Sequence, residues 1–300
     1  VIAVVGSLNL DLVATVPHHP APGETVLSTA FTQHPGGKGA NQAVAAARAG
    51  GRVAMIGRVG ADATGLSLLE AVRGEGIDTA HVRSTPAAAT GQALITVDPQ
   101  GENTIVVVPG ANGSLHAEDV GAASSLLGEA TVTLVQQEVP DAANRAAIGH
   151  AGGLVIYNPA PAVPDLEPPS GVDLLVPNRG ELAALAHTPA PHTLSETVAA
   201  ARRLTHRCAV IVTLGGDGVL LVDATSHHHV PAFPVNPVDT TAAGDTFCGA
   251  LAVALAEGAE LPAAVRWASA AAALSTQRAG AFPSLPRREE IEALLGQRRS

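Results

Sequence analysis

Apolar residues along this chain come in two rhythms. Short runs, VIAVVG at 1–6, RVAMIGRVG at 52–60, TVTLVQQ at 131–137, GLVIYNP at 153–159, VDLLVPN at 172–178 and CAVIVTLGG at 208–216, alternate with longer stretches rich in Ala and Leu. Runs of this length, rich in β-branched residues and closed by Gly, Asn or Pro, read as buried strands; the Ala/Leu stretches between most of them read as helices, one of them near 63–74. The succession predicts an α/β fold around a mainly parallel sheet. Ligands of such folds gather at the carboxyl ends of the strands, so the polar residues that follow each run are the ones to inspect.

One segment breaks the rhythm. GQALITVDPQGENTIVVVPG at 91–110 holds two alternating strands around Asp98-Pro99-Gln100-Gly101, a turn sequence, and predicts an antiparallel hairpin. Together with strand-like pieces near 11–16 and 26–33 it can form a small second sheet, either a lid over the site or an extension of the main sheet. The chain thus reads as one α/β domain over residues 1–300, with lid strands inserted from about 11–35 and 90–110. Pro159 to Pro169 is a proline-stiffened loop.

Composition narrows the partners. A formal net charge of -10 opposes nucleic acid and acidic membrane surfaces, both of which need a positive field. No run approaches the roughly 18 apolar residues of a membrane span, and VIAVVGSLNLD lacks the basic flank of a signal peptide. A cytoplasmic location is expected. Cys208 and Cys248 form no CxxC pair, which leaves them as small buried hydrophobes. Lys38 is the single lysine, and it lies inside PGGKGANQA.

Each candidate motif admits two readings. In DTTAAGDTFCGA (239–250) an aspartate follows Ala-Ala-Gly before an apolar helical stretch. Asp245 is either a first-turn acid worth about 1 kcal/mol to its helix, or it faces an anion that approaches the unobstructed backbone of Ala242, Ala243 and Gly244. GGKGAN (36–41) matches neither the Walker pattern nor GxGxxG; it is a tight turn, or a turn that offers backbone amides, Lys38 and Asn41 to a polyhydroxylated ligand. Asn9 and Asp11, two apart on an extended segment, face one way and suit vicinal hydroxyls or a turn cap. Asn178 and Glu181 have the spacing of a capping box and of a hydrated Mg2+ site. TLGGDG (213–218) is a hairpin turn or a nucleotide contact. His227 to His229 would alternate between the two faces of a strand, which is poor metal geometry.

In order, GSLNLD, PGGKGANQA, TGQALITV, VQQEVP, NPAP, VPNRGE, TLGGDG, DTTAAGDTF and RAGAFPS resemble the ribokinase-like family of sugar and nucleoside kinases, from the first strand to Ser284 and beyond. The resemblance implies a three-layer sandwich with a β lid, and ATP-dependent phosphorylation of a small sugar. Ribose at its 5-hydroxyl is the first choice; deoxyribose, fructose or adenosine are alternatives, and a catalytically silent sugar-binding regulator is a further one. It implies Asp245 as catalytic base, with the preceding amides as an anion hole. Sugar would lie against Asn9, Asp11, Gly37, Lys38, Gly39, Asn41 and Glu138, under lid residues Ala93 and Ile105. Nucleotide contacts would come from Asn178, Thr213, Gly215, Gly216, Gly218 and Ser269, with Asn178 and Glu181 supporting Mg2+ through water. A monovalent cation, usually K+, would sit near Asp239, Thr241, Ser275, Arg278, Gly280 and Ser284. Cys248, one helical turn after Asp245, suggests sensitivity to thiol reagents. Exposed lid strands suggest a homodimer.

Overall fold

The computed structural model describes residues 1–163 and 167–296. β1 (Ile2–Val5) passes through Gly6–Leu8 into β2 (Asn9–Thr15) and β3 (Ala30–Gly36). Next come α1 (Lys38–Arg48), β4 (Val53–Gly60), α2 (Ala63–Gly74) and β5 (Asp78–Thr85). The hairpin β6 (Gly91–Val97) and β7 (Asn103–Val108) precedes α3 (Ala117–Gly121), α4 (Ser124–Glu129), β8 (Val132–Gln136), α5 (Asp141–His150) and β9 (Leu154–Asn158). The chain continues through β10 (Leu174–Leu175), α6 (Arg179–Ala186), α7 (Leu194–Arg202), β11 (Ala209–Thr213), β12 (Val219–Val222) and β13 (His227–Val230). It closes with α8 (Ala243–Ala256), α9 (Leu261–Ser275) and α10 (Arg288–Gly296). Residues 164–166 of the proline-stiffened loop lie outside the described residues.

The main sheet has the order β13-β12-β11-β10-β9-β8-β1-β4-β5 and is parallel except where β12 pairs antiparallel with β11 and β13. Its apolar runs serve two cores. In β1, Ile2 and Val4 pack with α1, α8 and α9 on one face, while Ala3 and Val5 pack with α5 and its neighbours on the other. Strands buried on both sides must be apolar throughout, which explains the uninterrupted runs in the sequence. Helices on both faces complete three layers. α2 fills its expected span because the Asp62 side chain caps it, accepting from Gly65 N–H at 2.8 Å. No described helix is long and apolar enough to cross a membrane.

The hairpin does not extend this sheet. It joins β2 and β3 in a separate four-stranded sheet, β3-β2-β6-β7, turned by Asp98 to Gly101, where Gly101 adopts φ 82°. Paired residues share a face, so Asn9, Asp11, Ala93, Val107 and Ile105 lie on one side of this lid. Phe31, Leu94, Val106 and Val108 lie on the other.

Candidate active site

Site residues come from the carboxyl ends of β1, β8, β9, β10 and β11 and from the N-termini of α1 and α8. α1 starts in contact with the end of β1: a Cβ on Gly39 would stand 2.5 Å from Ser7 N, so glycine alone permits this approach. Gly37 turns the chain at φ 89°, and a Cβ there would meet Asn9 N at 2.8 Å. Glu138, just past β8, fastens the turn by accepting from Lys38 N–H (3.0 Å) and the Ser7 hydroxyl (2.5 Å). GGKGAN is thus a tight turn, and the amides of Lys38, Gly39, Ala40 and Asn41 all have protein acceptors, so the groups it leaves for a ligand are side chains and not those backbone amides.

α1 also holds Asp245. Asn41 Nδ2 donates to Asp245 Oδ2 at 2.9 Å, and Gln42 Nε2 donates to Oδ1 at 3.0 Å. The two helices cross closely at Gly249, where a Cβ would lie 2.6 Å from Gln42 O. Ala242, the N-cap of α8, takes the left-handed conformation at φ 58°, strained by about 1 kcal/mol or more for a residue with a Cβ. Ala243 N–H turns back to Thr240 O (3.2 Å), a correction to its place in the expected anion hole. The amides of Gly244 and Asp245 have no acceptor among the described residues, and a Cβ on Gly244 would meet nothing within 4 Å. Packing does not require that glycine; the open space before it suits an incoming anion.

That space is a cavity of about 210 Å³ lined by Lys38, Asn158, Asn178, Glu181, Thr213 and Ala242 to Asp245, among others. Asn178 and Glu181 make a true capping box on α6: Asn178 Oδ1 accepts from Glu181 N–H and Glu181 Oε2 accepts from Asn178 N–H, each at 2.8 Å. The second oxygen of Glu181 is left without a hydrogen bond among the described residues, and burial pushes this carboxyl up. Gly215 and Gly216 have open surroundings after β11, whereas Gly218 is demanded by packing, since a Cβ there would lie 2.1 Å from Val230 O. Ser269, buried on α9, donates its hydroxyl to Val265 O (2.7 Å) and does not line the cavity.

Four carboxyl groups, Asp245, Glu138, Glu181 and Asp11, act through space on the Lys38 ammonium without a direct ion pair among the described residues. Burial disfavours the charge on Lys38, but Asp245, Glu138 and Glu181 outweigh it and raise its pKa. Asp11, on the lid strand β2, is pushed up to about 7 by burial first, then by Glu138 and Asp245. No protein donor reaches its carboxylate among the described residues, and Gly36 makes room for it, because a Cβ there would stand 2.1 Å from Oδ2. Ala93 is buried directly opposite Asp11, while Ile105 pairs with Ile95 further out and is 53% exposed. Cys248 lines the same cavity, yet burial and the nearby Asp245 and Glu181 drive its thiol pKa well up. That opposes the expected sensitivity to thiol reagents.

Residues 238–241 and 275–280 are stitched together. Asp239 Oδ1 accepts from Thr241 N–H and Oδ2 from Gly280 N–H, both at 2.8 Å, and Thr276 O accepts from Val238 and Asp239. The Arg278 guanidinium turns away to Glu290, so only its backbone faces this loop. Ser275 and Ser284 donate their hydroxyls to Ala272 O and Ala281 O at 2.8 Å, which leaves their oxygens as acceptors.

Gln42, Gln136 and Asn158, within GANQA, VQQEVP and NPAP, carry no role in the sequence motifs themselves. These form one buried amide chain: Gln136 Nε2 donates to Gln42 Oε1 (2.8 Å), Gln42 Nε2 to Asn158 Oδ1 (3.1 Å), and Asn158 Nδ2 to Val176 O (2.8 Å). Two amides at strand ends, Gln136 and Asn158, and one on the apolar helix α1, Gln42, were the available signal.

A doubly covered α/β sheet with a β lid, and a carboxylate at a helix N-terminus beside unpaired backbone amides, suit a phosphotransferase. The model of the pfkB family of carbohydrate kinases matches residues 1–288. The ribokinase of Bacillus subtilis is 40% identical over 98% of this chain and 99% of its own. Among solved structures, ribokinase from Thermotoga maritima superposes with a TM-score of 0.88 at 39% identity, covering 99% of each chain. Arabidopsis thaliana ribokinase, solved with ribose and ATP, gives 0.87 at 33%, covering 98% of each. This chain belongs to the pfkB family of carbohydrate kinases.

Proposed function

We propose that the protein transfers the γ-phosphoryl group of ATP to the 5-hydroxyl of D-ribose, giving ribose 5-phosphate and ADP. The observation that carries the reading is the position of Asp245: its carboxylate stands beside the unpaired amides of Gly244 and its own N–H, within electrostatic reach of Lys38 and Asp11. Asn9, Asp11, Glu138, Asn41 and the Gly37–Gly39 turn hold the sugar, and the lid closes over it with Ala93 and Ile105. Asp245 accepts the hydroxyl proton as that oxygen bonds to phosphorus and the bridging oxygen leaves with ADP. Lys38 and the helix-end amides stabilise the charge that spreads over the transferring group.

Nucleotide lies along Asn178, Thr213 and Gly215 to Gly218, with Ser269 behind. Mg2+ fits the free oxygen of Glu181, and through water it would neutralise phosphate charge. K+ fits the oxygen-only set of Asp239, the carbonyls of Thr241, Ser275, Arg278 and Gly280, and Ser284, where it would steady the α8 turn. The outward lid face, with Phe31, Leu94, Val106 and Val108 each more than 40% exposed, supports pairing of two copies through their lids.

The test is an ADP-release assay with Mg2+ and ribose, deoxyribose, fructose or adenosine, each with and without K+. Ribose is expected to give the largest kcat/KM, and K+ to raise kcat. A larger value for another acceptor overturns the ribose assignment.

A further inference from the structure

Asn112 sits in the short turn that follows β7, is 1% exposed, and contacts neither cavity nor nucleotide segment. Its side chain closes on the segment that enters the lid. Asn112 Oδ1 accepts from Leu8 N–H (2.9 Å), and its Nδ2 donates to Leu8 O (3.0 Å) and to Asn9 Oδ1 (2.7 Å). The three segments at the base of the lid meet here. A Cβ on Gly91, the first residue of β6, would stand 2.2 Å from Asn112 Nδ2 and 2.3 Å from Asn9 Oδ1, so glycine is required beside this bond.

The polarity of the arrangement follows from the backbone. A backbone N–H only donates and a carbonyl only accepts, so the two Leu8 groups fix which end of the Asn112 amide is oxygen and which is nitrogen. The nitrogen end is then a donor toward Asn9, which must answer with its oxygen. Asn9 Nδ2 is left as the outward end, with no partner among the described residues, on the lid face that it shares with the acceptor Asp11. A hydroxyl both donates and accepts, so a neighbouring amide donor and carboxylate acceptor recognise a polyol better than two acceptors would.

We propose that Asn112 is a positioning residue for sugar specificity: it locks the Asn9 amide so that its N–H2 end, and not its oxygen, faces the acceptor sugar. The proposal rests on the reading of Asn9 as a sugar contact and adds the residue that sets its polarity.

The test is a double-mutant cycle with ribose and ATP kinetics on the full chain. Asn112→Leu, similar in size and unable to hydrogen-bond, is expected to raise the ribose KM about tenfold, the scale of one lost hydrogen bond, while the ATP KM stays within about twofold. In an Asn9→Ala background the same change is expected to have no further effect on ribose KM, because its target is gone. A purely structural role would instead move both KM values, or act equally in both backgrounds. If Asn112→Leu fails to fold, Asn9→Asp decides the matter. It leaves Asn112 intact and keeps an acceptor for it, but presents oxygen to the sugar, so its ribose KM should rise as much as that of Asn9→Ala. Wild-type ribose KM in Asn9→Asp, or in folded Asn112→Leu beside an impaired Asn9→Ala, overturns the proposal alone. Wild-type ribose KM in Asn9→Ala overturns the sugar contact and the proposal with it.

Discussion

Gln42 Nε2 and Asp245 Oδ1 are joined by a 3.0 Å hydrogen bond across 203 positions of sequence. The direction of that bond is anchored at Val176 O, which accepts from Asn158 and thereby makes the Asn158 oxygen an acceptor for Gln42. Gln42 can therefore only donate to the aspartate. Replacing it by Leu removes one of two donors that aim the carboxylate. Gln42→Leu is expected to lower kcat about tenfold to a hundredfold, the range for a slightly misplaced catalytic group, with ribose KM changed less. Steady-state kinetics and a thermal melt check it.

On the proposed mechanism, removing the base itself costs more. Asp245→Asn is expected to lower turnover by about two to four powers of ten, with the fold retained because an amide fills the same space. Near-wild-type ADP release from the folded variant would remove Asp245 from the reaction.

Asp11, read as a sugar contact, is expected to make binding depend on pH. Its folded pKa of about 7 lies above the ordinary aspartate value of 3.8, so its contribution to stability is fully present below the lower value and is lost as pH rises through about 7. The ionised form is the better acceptor for sugar hydroxyls, so ribose affinity should strengthen between pH 6 and 8 while the unliganded fold weakens. In Asp11→Asn both trends should flatten. Calorimetric titrations and melts across that interval measure the two effects.

Cys248 should react slowly. Its thiol is 1% exposed and held protonated by burial and by Asp245 and Glu181. Half-buried Cys208, pushed up to about 11, is also weakly nucleophilic. Native protein treated with a maleimide at neutral pH is expected to keep its activity, and mass spectrometry should find Cys248 unmodified until the protein unfolds.

The lid's outer face predicts the oligomer. Val106→Asp places a carboxylate among Phe31, Leu94 and Val108, where two copies would meet. Light scattering should give a dimer for the wild type and a monomer for the variant. A monomeric wild type at working concentration would refute the pairing.

The main sheet was legible because both faces of its strands are buried, which makes each run uniformly apolar; the runs at 1–6 and 131–137 became β1 and β8 with little change. The lid was legible through the turn at Asp98 to Gly101, but not its place, because alternation alone does not say which sheet a hairpin joins. Asp245 and the glycine turn were found from local motifs. Gln42, Gln136, Asn158 and Asn112 were not, because an amide's role depends on partners about a hundred residues away or more, and nothing in its immediate neighbours records them. Ala242 likewise gave no sign of its left-handed backbone, since glycine, and at times Asn or Asp, are the residues that visit that region routinely.

Lys38 is the only lysine in the chain, and it lines the cavity shared with Asp245 and Glu181. Every other cationic side chain is therefore a guanidinium or an imidazole. Acetylation or any other acylation of a side-chain amine has a single address on this protein, and on the proposed reading of the site reaching it would lower activity. Reagents that couple proteins through lysines would find no side-chain handle away from that site.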